Sequence, residues 1–368
     1  MTLVLRYVNK NRELIESFLG IVHVGDTSAI SLQKIIYSLL LDHSLYLSRL
    51  RGQGYDGARN MQGEKNGLKS LILQDVPFAY YIHCFPHQLQ LTLVALSKKY
   101  SDVKIFFYVV TNVLNTIGTS FKRRDLLRQH QVEKLEELLK FGEILTRQGL
   151  NQERGLQRPG DTCWGSHFKT LENFMIIYSS VANVLKDMKE NSPHDLAKLV
   201  ACNLLDKIQK FEFIFVLHLM FKMLLVTNEL SKTLQKKDQD IVNVMRLLNI
   251  SKRRLQTMRE SGLESLMDGV SSFCAKHDIL VPVMSEDYPR SKRKKSKISY
   301  LHHFRVEVFY AVIDLQLQEL NNRFDVVTND LLLGMASLNL VDSFANFSKS
   351  RIVKSAEYYK SDFGDNEL

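Results

Sequence analysis

Four cysteines in 368 residues (Cys84, Cys163, Cys202 and Cys274) stand far apart, and no two share the short spacing of a redox or metal pair. They offer no disulfide framework. With no charged-then-apolar leader in the sequence, the expectation is an intracellular, reducing setting. Proline is scarce at 6 and glycine modest at 17, which excludes a collagen-like or linker-rich chain. Long apolar runs are also lacking. The most apolar stretch, Phe211 to Val226, is interrupted by Glu212, His218 and Lys222, so it is expected as a buried helix and no membrane is expected as partner.

What is present fits a packed chain: 45% hydrophobic and 24% charged residues, over a length that suits two domains or one domain enlarged by an insertion. Lysine and arginine outnumber the acids 49 to 40, a net charge of +9. That excess favours polyanions, with nucleic acid ahead of an anionic membrane.

Residues 1–99 mix strand and helix signals. Leu3 to Val8 and Glu16 to Val24 are rich in β-formers around the polar turn Asn9 to Arg12, which predicts a hairpin. Gly25-Asp-Thr-Ser28 suits a cap for a helix with apolar Leu32, Ile35, Ile36, Leu39 and Leu40. A short strand near Leu45 to Leu50, a helix over Leu68 to Leu73, a strand over Ala79 to His83 and a helix over Gln88 to Ser97 follow. Residues 100–368 carry mostly helical spacing, over Phe106 to Ile117, Val132 to Leu145, Phe168 to Met188, Leu196 to Leu234, Ile241 to Met258 and Tyr300 to Val326, with a basic loop at 287–297. The fold class expected is therefore α/β followed by all-α.

Three motifs stand out. In Arg51-Gly-Gln-Gly-Tyr-Asp-Gly-Ala58 an acid sits in a glycine-rich turn, where Asp56 reads either as a cap for the next helix or as a metal carboxylate at a strand end. In His83-Cys-Phe-Pro-His87, Cys84 and His87 have CxxH spacing, half of a zinc site without a second pair; a buried cysteine and a helix start that favours an anion are the other readings. The only tryptophan, Trp164, lies in Asp161-Thr-Cys-Trp-Gly-Ser-His-Phe168 and reads as a loop anchor or a base-stacking ring. Arg290-Ser-Lys-Arg-Lys-Lys-Ser-Lys297 adds six cations in eight residues, namely Arg290, Lys292, Arg293, Lys294, Lys295 and Lys297. It suits phosphate contact or nuclear import, or a solvated loop. Lys122, Arg123, Arg124 and Arg128 form a second, weaker cluster.

Taken with Tyr81-Ile-His-Cys-Phe-Pro-His-Gln-Leu-Gln-Leu91, these motifs resemble the hAT-type DNA transposases and the transposase-derived zinc-finger MYM-type proteins. The resemblance runs in order from Met1 to roughly Phe363. It implies an RNase H-like region at 1–99, incomplete here, and a large helical insertion domain at 100–368. The family cuts DNA with two metal ions, Mg²⁺ or Mn²⁺, held by three acids. Asp56 matches the second acid, Cys84 and His87 the C/DxxH element, and Trp164 the tryptophan near the cleaved end. The first acid belongs on a strand upstream of Thr2-Leu-Val-Leu-Arg-Tyr7, and the third in a Ser/Thr-x-Glu-Arg-x-Phe-Ser-like helix. Neither occurs between Met1 and Leu368.

The expectation is thus a chain truncated at both ends, without cleavage chemistry or a cofactor of its own. Asp56 remains as a vestigial acid that binds metal only if the others are supplied. Asp26, Asp42, Glu319 and Asp325 do not replace them: Asp26 suits a helix cap and Glu319 an ordinary exposed helical face. Expected partners are DNA, through Trp164 and the basic run, or proteins; the expected location is the nucleus, otherwise the cytoplasm. Oligomerisation is left open, because the family's C-terminal assembly region is not recognised. A fragment of an active transposase and a helical interaction scaffold are the alternatives.

Overall fold

The computed structural model describes residues 1–11, 13–140, 164–234, 241–289, 297–324 and 347–362, with positions 334 and 337. The chain divides into two units: Met1–Gln88 with Leu234–Met245 and Phe324–Leu368, and Leu89–Thr233 with Arg246–Arg323.

In the first unit, β1 (Thr2–Val8) and β2 (Leu14–Ile21) form an antiparallel hairpin. Asn9 closes it. Its side-chain oxygen accepts from the amides of Asn11 and Glu13, both at 2.9 Å, so β2 starts earlier than its β-former content alone predicts. Helix α1 (Ala29–Asp42) follows, and Ser28 rather than Asp26 is its cap residue. Asp26 supports the cap from outside. Its carboxylate accepts from the Ser28 and Ser31 hydroxyls, which hold its pKa down to about 2.

The strand expected near Leu45 to Leu50 is displaced. Leu47–Arg49 forms a 3₁₀ turn, and β3 lies on the glycine-rich segment itself, Gly52–Tyr55. After the short α2 (Arg59–Gln62) and α3 (Leu68–Asp75), β4 (Tyr80–His83) pairs parallel with β3, Gly52 opposite Tyr80 and Tyr55 opposite His83. Leu32 of α1 and Leu68 and Ile72 of α3 form a small core with Ala29, Val76 and Ala79, and Tyr55 packs against it from β3. The hydroxyl of Tyr37 and the amide of Gln33 both donate to Asp75 at 2.8 Å, tying α1 to α3.

The last described stretch, α15 (Lys349–Glu357) and the residues after it, belongs to this unit. Arg51 pairs with Asp362 (Nε to Oδ2, 2.6 Å), and Tyr80 meets the rings of Tyr358 and Tyr359 edge-on. The start of β3 is thereby clamped to residues more than 300 positions away.

Helix α4 (Phe85–Lys99) begins in the first unit and continues into the second. The second unit adds α5 (Ser101–Gly118), α6 (Phe121–Lys140), α7 (Trp164–Ile176), α8 (Tyr178–Asn191), α9 (Asp195–Ile208), α10 (Phe211–Leu234), α11 (Ile241–Ser261) and α12 (Leu263–Lys276). It closes with the short α13 (Tyr300–His302), a π-helical stretch (His303–Tyr310) and α14 (Ala311–Phe324). Each of the stretches expected at Phe168 to Met188 and Leu196 to Leu234 splits in two.

Helix α10 is the axis of this core. At 24 residues it is longer than its purely apolar segment and meets the length and composition of a membrane span, yet 72% of its most apolar window is buried inside the protein. Phe213 faces Phe106 of α5 and Phe174 of α7, Phe215 faces Phe304 of the π-helical stretch, and His218 faces Phe273 of α12. Its polar groups are satisfied locally: the Thr227 hydroxyl donates to the Met223 carbonyl, and His218 Nδ1 donates to Ile214 O at 2.9 Å. Helix α12 was absent from the expected elements although Leu266, Val270 and Cys274 recur at i, i+4 and i+8 and are fully buried.

Candidate functional site

Parallel strands β3 and β4 place their carboxyl ends side by side, the position where open α/β sheets gather functional groups. Asp56 follows Tyr55 and Cys84 follows His83, and the Cys84 amide donates to Tyr55 O at 3.0 Å, so the two motifs meet across one register step. His87, on the first turn of α4, stacks against His83 at a ring separation of 5.4 Å. The structure therefore brings Asp56, Cys84 and His87 to one end of one small sheet.

Two aromatic side chains support that end. The Tyr81 hydroxyl donates to Tyr55 O and Asp56 O at 3.3 and 3.2 Å, and the Tyr55 and Tyr81 rings lie 4.9 Å apart. Burial, then the nearby charge of Asp56, pushes the Tyr81 phenol up to about 12. Gly57 leaves the space that His83 occupies: a Cβ there would stand 2.6 Å from the imidazole Cε1. Neither Tyr81 nor His83 was a candidate from sequence. The signal available was their alternation on β4 and the four-residue step from His83 to His87 on to the helix.

The acid has a local partner. Asp56 is exposed, and its carboxylate accepts from the Ala58 amide at 3.4 Å, a turn geometry that leads into α2. Cys84 is exposed, which overturns the buried-packing reading of this cysteine. Among the described residues no three of His, Cys, Asp and Glu gather into a metal-holding group. The residues present thus do not fit the two-metal arrangement that the resemblance implies, nor a closed zinc site.

Glu319 also departs from its exposed-face expectation. It is only 5% exposed in the second unit, where Lys99 Nζ lies 2.6 Å and Arg323 Nε 3.0 Å from its carboxylate. Burial alone pushes this carboxyl up, but the two cations outweigh burial and hold it below the usual range. Its charge is used in that pairing.

Trp164 opens α7, and its side chain lies outside the described residues. Asp325 lies outside them too, as do Arg290, Lys292, Arg293, Lys294 and Lys295; Lys297 is exposed. The flanks of the basic run are held together. Asp287 bridges Ser299, the Tyr288 amide donates to Ile298 O at 2.8 Å, and the Tyr288 ring stacks on His303 at 3.7 Å.

Residues 1–67 match the family model DUF4371, described as ZMYM1/FAM200, RNase-like domain. No solved structure matches the chain. The matched residues take in β1, β2, α1, β3 and Asp56 and stop before β4. The match supports a transposase-derived origin with an RNase-like domain at the N-terminus, ahead of a mostly helical body.

Proposed function

We propose that this chain is a transposase-derived protein of hAT ancestry that holds DNA without cutting it through its own acids, and that it acts in the nucleus. Residues 1–99 are the RNase H-like region and 100–368 the helical insertion domain of that ancestry. The observation that carries the reading is the RNase-like match over an Asp56 whose carboxylate serves a local turn. The net charge of +9 supports a polyanionic partner, and the basic run from Arg290 to Lys297 supports both phosphate contact and nuclear import. Mg²⁺ or Mn²⁺ belongs to a form in which further acids join Asp56.

Two assays on the purified full chain test this. DNA affinity should fall steeply with added salt, because each phosphate contact releases counterions. Labelled DNA incubated with Mg²⁺ or Mn²⁺ should stay intact; nicking that disappears in Asp56→Ala would overturn the non-cutting reading. Protein association is a second role with its own support, since the hairpin leaves Val8, Phe18 and Ile21 more than 60% exposed.

A further inference from the structure

We infer that the outer face of α6, led by Phe121, is a stacking platform for single-stranded DNA. This rests on the DNA-binding reading above and gives it a place and a strand preference. Phe121 is 79% exposed, and the Arg124 guanidinium sits 4.3 Å from its ring centroid. Phe121, Arg124, Arg128 and Val132 fall at i, i+3, i+7 and i+11, one face of an α-helix about 16 Å long, and all four are exposed. Leu127 is buried on the opposite side and anchors the helix to the core.

The charge around the ring is one-sided. Lys122, Arg123, Arg124 and Arg128 meet a single acid between Phe121 and Val132, and that acid, Asp125, is paired with Arg128 at 3.1 Å. Arg123 donates to Thr116 O at 2.6 Å, fixing the start of α6 to the end of α5, so the platform is presented rigidly. Lys122 is exposed beside the ring.

An isolated ring ringed by cations is poorly suited to an apolar protein interface, whose centre is depleted of charge, or to a bilayer, which needs several apolar side chains together. It suits a polymer that carries phosphates and flat π faces. Arg124 and Lys122 can take phosphates while a base stacks on Phe121. A duplex hides its base faces, so an unpaired strand is the better fit.

The test is fluorescence anisotropy of the full chain with labelled oligo-dT and with a duplex, across salt concentrations. Phe121→Ala should weaken oligo-dT binding about 5- to 100-fold and leave duplex binding nearly unchanged, while Phe121→Trp restores it. Lys122→Gln with Arg124→Gln should flatten the log–log salt slope by about one. Phe121 is exposed, so the variants should keep the wild-type circular dichroism. Unchanged oligo-dT binding in Phe121→Ala, with salt-dependent DNA binding intact, overturns the platform and spares the DNA reading. Absence of any DNA binding at low salt overturns both. Binding of anionic phosphatidylserine vesicles that depends on Phe121, without oligo-dT binding, also overturns the platform and assigns this face to lipid.

Discussion

The two units solve the same burial problem with unequal means. In the second, α10 is buried nearly all round, and Ile214, Phe215, Leu217 and Leu219 are sealed from solvent. In the first, two separate two-stranded sheets and three helices share a core of six buried side chains, and the hairpin keeps Phe18 62% and Ile21 75% exposed. A two-stranded sheet has two open edges and little to pack on, so it contributes little by itself. The candidate site sits in the unit with the thinner core, where a few aromatic contacts and one distant clamp hold it.

The contrast is sharpest under core truncation. Phe215→Ala should cost about 3–5 kcal/mol in denaturant unfolding, because Phe304 and Phe211 cannot close over the space. Leu68→Ala, equally sealed, should cost about 2–3 kcal/mol, since the partly buried Met61 and Leu71 beside it can relax inward. Equal losses would break the comparison.

A smaller effect is expected at the sheet end. Gly57→Ala should cost about 1–3 kcal/mol, as the new methyl displaces His83, and the loss should appear in amide exchange of β3 and β4. Exchange faster only in α10 would contradict that assignment.

Acid should act on the second unit. Burial first, then the charges of Lys134 and Lys276, brings His277 down to about 4, and its ring lies against Tyr178 and Phe273. The folded pKa is below the unfolded value, so the contribution is present above about 6.5 and is lost as pH falls through the window down to 4. With solvent reaching part of the ring, the loss is roughly 1–2 kcal/mol. His218 is lowered by burial too and adds in the same direction. Thermal melts of His277→Phe should therefore show a flatter decline with acid than wild type; identical curves would remove His277 from the account.

The smallest effect belongs to the clamp. Asp362→Asn breaks a half-exposed pair with Arg51 and should leave the midpoint of unfolding unchanged while speeding limited proteolysis after Lys360.

Periodicity made the long helices legible, since a 3.6-residue apolar repeat is a local property. The hairpin, α1 with its Ser28 cap and the strand before Cys84 were legible for the same reason. Leu263 to Lys276 carries the same repeat and was passed over, a lapse of reading rather than of signal. The site was half legible: Asp56, Cys84 and His87 stood out by residue type, but Tyr81, His83 and Gly57 gain meaning only when β3 and β4 pair. Glu319 misled for a related reason, because its two cations come from 4 and 220 positions away.

The sequence by itself determined which stretches coil or extend, a surplus of positive charge and the apolar content of Phe211 to Val226, all of which depend on neighbours along the chain. Tertiary structure alone decided that Asp56 and Cys84 end adjacent strands, that Glu319 is buried between cations, and that Phe121 is left in solvent beside Arg124. Those outcomes turn on which surfaces meet, and long-range contacts exchange solvent for neighbours that no local pattern encodes.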